Sequence, residues 1–315
     1  MRAVRCAWLL LATLVAPACA QTPAAPDAPL GVVDTALIMA DLRTLAADSM
    51  EGRGTGSAGI ERARRYLVGR FEDVGLRSFE GSYELPFALR RDGEVVRAVN
   101  LVGYVQGEDA VGPVMVVTAH YDHLGNLDGE IFNGADDNAS GVAALLALAQ
   151  HLAEHPPRHT VVFAALDAEE VGLKGAEALV SDPPIPLERI ALNLNFDMVG
   201  RNERGELYAA GAFHYPFLRP HLEAIAESAP LRLRLGHDSP TLPPGDDWTF
   251  LSDQGPFHRE GIPFVYFGVE DHPDYHRPTD DAERIDPTFF ADAVATLIAA
   301  ADHFDDALEE IDRAR

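Results

Sequence analysis

Five candidate metal ligands lie in five separate motifs: His120 in AHYDHLG, Asp136 in NGADDNASG, Glu170 in LDAEEVGLKG, Asp197 in LNFDMVGR and His276 in DYHRPTD. Each stands where a strand is expected to pass into a loop, and four of the five follow apolar strands. Two histidines and three carboxylates match in number and type what two divalent cations sharing one carboxylate require. Such a pair can activate a water and hold both oxygens of a displacement, so the chemistry open to these residues is metal-assisted hydrolysis.

Neighbouring residues sharpen this reading, although each motif alone has an ordinary explanation. Asp122, two residues beyond His120 on an extended chain, faces the same way and can take the second ring N–H of that histidine. Asp136 and Asp137 precede Asn138-Ala-Ser140-Gly141, where one acid can cap a helix and the other remains to be explained. Glu169 and Glu170 suit the first turn of a helix. Their side chains diverge, so one can bind a cation while the other faces the activated water as a general base. Asp197 ends the apolar strand Ala191–Phe196, where a buried acid needs a cation or an arginine such as Arg201 to answer it. His276 lies between Tyr275 and Pro278, with His272 as a neighbouring competitor for its role.

The elements that must position these groups alternate. Apolar periodicity predicts helices over 34–45, 60–75, 140–154, 171–180, 216–228 and 287–310, the third capped by Ser140. Strands are expected at 83–89, 95–105, 113–119, 159–166, 190–196, 206–210, 231–235 and 263–267, and the all-apolar run 113–119 reads as buried on both faces. This order implies a single α/β domain: a central, mostly parallel but mixed twisted sheet with helices on both faces. In open sheets of this kind ligands bind beyond the strand ends. The stretch 236–256, rich in Gly, Pro and Asp, reads as a long functional loop.

Residues 1–20 read as a secretory signal peptide: basic Arg2 and Arg5, an apolar run, and Ala18-Cys19-Ala20 as a cleavage site. Residues 21–33 form a Pro/Ala-rich tether, and 34–315 the catalytic domain. Both cysteines, Cys6 and Cys19, fall in the leader, which leaves a mature chain without disulfides. Simple cleavage is favoured over lipid attachment at Cys19, so the expected location is exported, periplasmic or secreted. Formal charge is −25, and −27 once the two leader arginines are gone, which repels nucleic acid and anionic lipid. No apolar run suggests an integral span and no internal repeat is visible.

The ordered set HxD, DDNASG, EE, FDMVG and YH, from the opening LRTLAADSMEGRGTGSAG to YHRPTD, resembles family twenty-eight of the metallopeptidases, the co-catalytic zinc aminopeptidases. That resemblance implies two zinc ions and a peptide or aminoacyl substrate. Asp136 would bridge the ions, Glu170 and His276 would complete one, and His120 with Asp197 the other. Glu169 would be the general base, Asp122 the partner behind His120, and Tyr275 an oxyanion donor. Asp246 or Asp247 are candidates to read a free amino terminus, and Phe257, Tyr266 and Phe267 to line a side-chain pocket. Three rivals stand beside this reading. A glutaminyl-cyclase-like acyltransferase on the same fold works with one zinc and does not need the His120/Asp197 pair. A carboxypeptidase-like dinuclear enzyme normally carries an inserted dimerisation domain. A silent binding relative would show broken ligand positions.

Overall fold

The computed structural model describes residues 33–91, 93–243 and 245–315. The expected leader and nearly all of the tether lie outside them. The described chain opens with α1 (Thr35–Leu45), whose first turn is capped by the Asp34 side chain accepting from Leu37 N at 3.0 Å. In α2 (Ala58–Val74), Ser57 caps the start and Gly75 ends the helix at φ 82°, a left-handed conformation that glycine enters without a Cβ penalty. Three antiparallel-pairing strands follow, β1 (Arg77–Ser78), β2 (Glu84–Arg91) and β3 (Glu94–Val105).

The buried strand β4 (Val114–His120) leads into a small hairpin, β5 (Gly125–Leu127) and β6 (Glu130–Phe132), which is too short for the sequence pattern to show. Then come α3 (Gly141–Glu154), β7 (Val161–Leu166), α4 (Lys174–Ser181), β8 (Ile190–Phe196), β9 (Glu206–Ala210), α5 (Arg219–Ser228) and β10 (Arg232–Leu235). The chain closes with α6 (Gln254–Arg259), β11 (Phe264–Gly268) and α7 (Pro287–Ala314). The short helix α6 falls at the end of the stretch expected to be irregular.

Among the described residues, nine strands form one mixed sheet in the order β1-β3-β7-β4-β8-β11-β9-β10, with β2 paired to β3. Its centre, β7-β4-β8-β11, is parallel, and β3 and β9 join that block antiparallel. Strand alternation divides the core cleanly. Met115, Val117 and Ala119 pack with Phe163, Leu194 and Phe267 against α1, α2, α3 and α7. Val114 and Val116 pack with Val162, Ala164 and Phe257 on the face covered by α4 and α6. Fully burying each large apolar side chain contributes about 1.5–3 kcal/mol, so the two layers hold the sheet between them.

On the α6 side the middle of the sheet turns polar. Thr118, Asn193 and Asn195 are buried and bond one another, Thr118 Oγ1 donating to Asn195 Oδ1 at 2.6 Å. Asn195 Nδ2 donates onward to Ser252 Oγ and Gln254 Oε1. This ladder ties the loop before α6 to the strand end carrying Asp197. No helix among the described residues is long and apolar enough to cross a membrane.

Candidate metal centre

His120, the last residue of β4, and Asp197, just beyond β8, are brought together at the carboxyl edge of the sheet. His120 Nε2 lies 3.3 Å from Asp197 Oδ1 and 3.3 Å from Asp137 Oδ1. The other oxygen of Asp137, Oδ2, stands 3.0 Å from His276 Nε2. His276 Nε2 is also 3.4 Å from Glu170 Oε2. Asp137 therefore straddles two half-sites, His120/Asp197 on one side and Glu170/His276 on the other.

Asp136, expected between the two half-sites, points away from them, and its neighbour Asp137 lies there. Asp136 Oδ1 accepts from Gly200 N at 2.7 Å and from Ser140 Oγ at 3.1 Å, and its Oδ2 is 3.1 Å from His272 Nε2. The physical reason lies in the backbone. Asp136 N and Asp137 N both donate to the Asp280 carboxylate, and Asp137 and Asn138 leave helical geometry, so successive side chains point apart. The Asp137–Asn138 peptide bond is cis. Gly134, at φ 57°, has no room for a Cβ, which would meet Asp137 O at 2.1 Å. The cap expected of Ser140 is supplied instead by Asn138 Oδ1, which accepts from Gly141 N.

Asp122 lies behind His120. Its carboxylate is 3.6 Å from His120 Nδ1, and its carbonyl oxygen is closer at 3.2 Å. The carboxylate chiefly accepts from Glu169 N at 3.0 Å and Glu170 N at 3.3 Å. Asp122 thus fixes the turn that carries the two glutamates. Non-glycine residues in the left-handed region flank three positions: Ala168 (φ 63°) before Glu169, Met198 (φ 59°) after Asp197, and His276 itself (φ 53°). Each such residue stores about 1–3 kcal/mol, which the surrounding bonds must hold.

Glu169 lines a cavity of about 160 Å³ together with His120, Asp137, Asp197, Tyr275 and His276. Burial pushes its carboxyl well above the ordinary range; His120 opposes this, while Asp253, Asp197 and Glu170 add to it. Asp253, buried with neither oxygen partnered among the described residues, is pushed up to about 8 by burial and by Asp122 and Asp197. Tyr275 stacks on His276 with ring centroids 3.9 Å apart, and burial followed by Asp137 raises its phenol. His276 rises to about 10: burial lowers it, but bonds to Asp137 and Glu170 outweigh that.

Trp248, Leu251, Met198, Val269 and Tyr266 supply the apolar wall of the cavity, and Asp271 also lines it. Asp246 and Asp247 do not line it. Asp247 instead accepts from Thr249. Phe257 and Phe267 are core residues, and of the three aromatics expected in a pocket Tyr266 alone reaches the cavity, its hydroxyl donating to Asp197 O. Arg201 pairs with Asp274 at 2.6 Å, not with Asp197.

Two residues that sequence reasoning passed over belong to the centre. His123, in the same AHYDHLG motif as His120, is buried with Nδ1 2.7 Å from Glu170 Oε1. Arg53, in the EGRGTG turn, is fully buried beneath the cluster. Its Nε donates to Tyr121 O, Nη1 to Leu45 O and Asn133 O, and Nη2 to Gly134 O. A GR pair inside a glycine-rich turn and the histidine spacing of HYDH were the available signals.

The donor set fits hard or borderline divalent cations. Asp122, Asp137, Glu169, Glu170, Asp197 and Asp253 converge in one buried region, with Arg53 the fully buried guanidinium among the described residues. So many buried acids are costly without added positive charge. The groups His120/Asp137/Asp197 and His123/Asp137/Glu170 each bring their donor atoms within 4.8 Å of one another.

Comparison with known proteins bears on the family and the fold. The model of Peptidase family M28 matches residues 100–301. The chain is 32% identical over 199 residues to aminopeptidase YwaD of Bacillus subtilis, covering 59% of this chain and 40% of that protein. It spans less than half the length of the curated relatives it matches. Among solved structures, a leucine aminopeptidase precursor from Bacteroides thetaiotaomicron is similar with a TM-score of 0.71 at 18% identity, over 87% of this chain and 98% of that one. Glutaminyl cyclase from Porphyromonas gingivalis is similar with a TM-score of 0.72 at 18% identity, over 86% and 98% of the two chains.

Proposed function

The chain belongs to Peptidase family M28, and from that premise we propose that it is an exported aminopeptidase holding two zinc ions. The observation that carries this reading is the position of Asp137, with one oxygen toward His120 and Asp197 and the other toward His276. Two bound zinc ions would supply Lewis acidity toward a scissile carbonyl and acidify a water between them.

The protein's own groups then have separate tasks. His120, Asp137 and Asp197 would hold one ion, and Asp137, Glu170 and His276 the other. Glu169, kept in place by the Asp122 carboxylate on its amide, takes the proton of the attacking water on its carboxylate and returns it to the leaving amine. The Tyr275 phenol donates to the developing oxyanion. Asp271 meets the free ammonium of the substrate, and Trp248, Leu251 and Val269 receive its first side chain. Solved neighbours include cyclases as well as aminopeptidases, so the fold does not separate those chemistries. The intact His120/Asp197 pair favours hydrolysis.

Purified protein should hydrolyse aminoacyl-nitroanilides, lose that activity to a chelator and regain it with zinc. Glu169→Gln should keep its zinc and lose turnover by about 100-fold or more. A chelator-resistant rate, or full turnover in Glu169→Gln, would remove this function or this base.

A further inference from the structure

We propose that His123 is an additional metal-ligating residue, whose Nδ1 donates to the ion held by Asp137, Glu170 and His276. This rests on the two-ion reading above. It makes the two ions unequal: three protein ligands on the His120 side and four on the other.

His123 enters the centre from the loop after β4, and His276 from the loop beyond β11. Its Nδ1 is 2.7 Å from Glu170 Oε1 and 3.6 Å from Asp137 Oδ2. His276 Nε2 addresses the same two side chains at 3.4 and 3.0 Å. The two rings stand edge to face with centroids 5.8 Å apart. The His123 side chain is 0% exposed, whereas that of His276 is 37% exposed.

Packing leaves the His123 ring little freedom. A Cβ at Gly134 would lie 2.5 Å from its Cδ2, so the ring occupies the space that glycine vacates. Nε2 has no partner among the described residues, so the polar contacts of the ring are all made through Nδ1. Nδ1 faces two carboxylate oxygens, a contact that needs either the ring proton or a cation between them. A cation there satisfies all three groups at once.

Four protein donors fill a tetrahedral zinc shell, which a shared water would expand to five, while three leave an open place for water or substrate. The cavity agrees with that division. His120, Asp137, Asp197 and His276 line it, and His123 and Glu170 do not. All three proposed ligands of the His120 ion would therefore face substrate, whereas the other ion would face it through Asp137 and His276 and be anchored from behind the cavity wall by His123 and Glu170.

The experiment is a metal titration of the full chain with cobalt(II), followed by proton NMR of the loaded wild-type protein. Three paramagnetically shifted, exchangeable imidazole N–H signals are expected, from His120, His276 and His123; two signals overturn the proposal. His123→Asn keeps an amide N–H near the place of Nδ1, so it retains a hydrogen bond to Glu170 but not the imidazole ligand. Loss of a hydrogen-bonding partner behind a ligand weakens binding roughly 10- to 100-fold. The variant should lose more than about 100-fold in affinity for one ion, and a smaller loss overturns the proposal. Wild-type protein that binds fewer than two ions removes the underlying two-ion reading. Two ions in the wild type with an unaffected variant remove only the role of His123.

Discussion

Asp137 and Asp136 are adjacent acids with opposite duties: one faces three histidines, and the other stitches Gly200, Ser140 and His272 into the loop. Asp137→Asn should weaken binding of both ions by more than about 100-fold. Asp136→Asn keeps an oxygen for Gly200 N and should bind both ions as the wild type does. Equilibrium titration with zinc distinguishes them, and the reverse ranking would restore Asp136 to the bridge. The residue types of the centre were readable from their motifs, but which of two neighbouring acids faces inward depends on a backbone irregularity at 137–138 that no spacing encodes. His123 was hidden for a similar reason, since its histidine spacing acquires meaning only when Glu170 is folded against it.

A further residue-scale prediction concerns Asp167, which burial and Asp122 raise to about 7. Thr55 Oγ1 lies 3.0 Å from Asp167 and 3.1 Å from Asp122, yet has one proton to give. A protonated Asp167 can donate to Thr55, which then donates to Asp122. The unfolded chain releases this proton near the ordinary value of 3.8, while the folded chain holds it to about 7. The stability it contributes is complete below 3.8 and is lost as pH rises toward 7, at up to about 1.4 kcal/mol per pH unit. In metal-free protein, Asp167→Asn should gain on the wild type by about 2–4 kcal/mol between pH 4 and 7 in urea unfolding. A difference that is flat or falls with pH contradicts the assignment.

At the scale of elements, the alternation of strands and helices made most of the sheet legible, because a strand buried on both faces must read as a continuous apolar run. His120 ends such a strand, Asp197 follows one directly, and Glu170 lies in the turn after a third. Asp137 comes instead from the loop after the β5–β6 hairpin, and His276 from the loop beyond β11. Those loops are held by Arg53 and Asp280, long-range contacts that periodicity does not report. Arg53 bonds the carbonyl of Tyr121, between His120 and Asp122, to those of Asn133 and Gly134. Its guanidinium is lowered to about 10 by burial, against the pull of Asp137, Asp122, Asp280 and Glu170. Arg53→Met strands four carbonyls and removes the nearest buried positive charge. It should cost more than about 3 kcal/mol in stability, and Arg53→Lys should recover little of it, because one ammonium cannot span the fork. A loss below about 1 kcal/mol in chemical denaturation would reduce Arg53 to a space filler.

For the molecule as a whole, two apolar layers clamp a mixed sheet whose parallel centre delivers its strand ends to one edge. The polar ladder Thr118–Asn193–Asn195 links that edge to the loop bearing Trp248 and Asp253. The LNLNFD alternation puts Asn193, Asn195 and Asp197 on one face, yet the segment reads in sequence as a simple apolar strand, so the ladder went unseen there. The central claim is that two cations share Asp137. Zinc K-edge X-ray absorption on the reconstituted full chain tests it directly. Two zinc ions per chain with a zinc–zinc vector of about 3.5–4 Å are predicted. A single zinc, or two without that vector, would contradict the account.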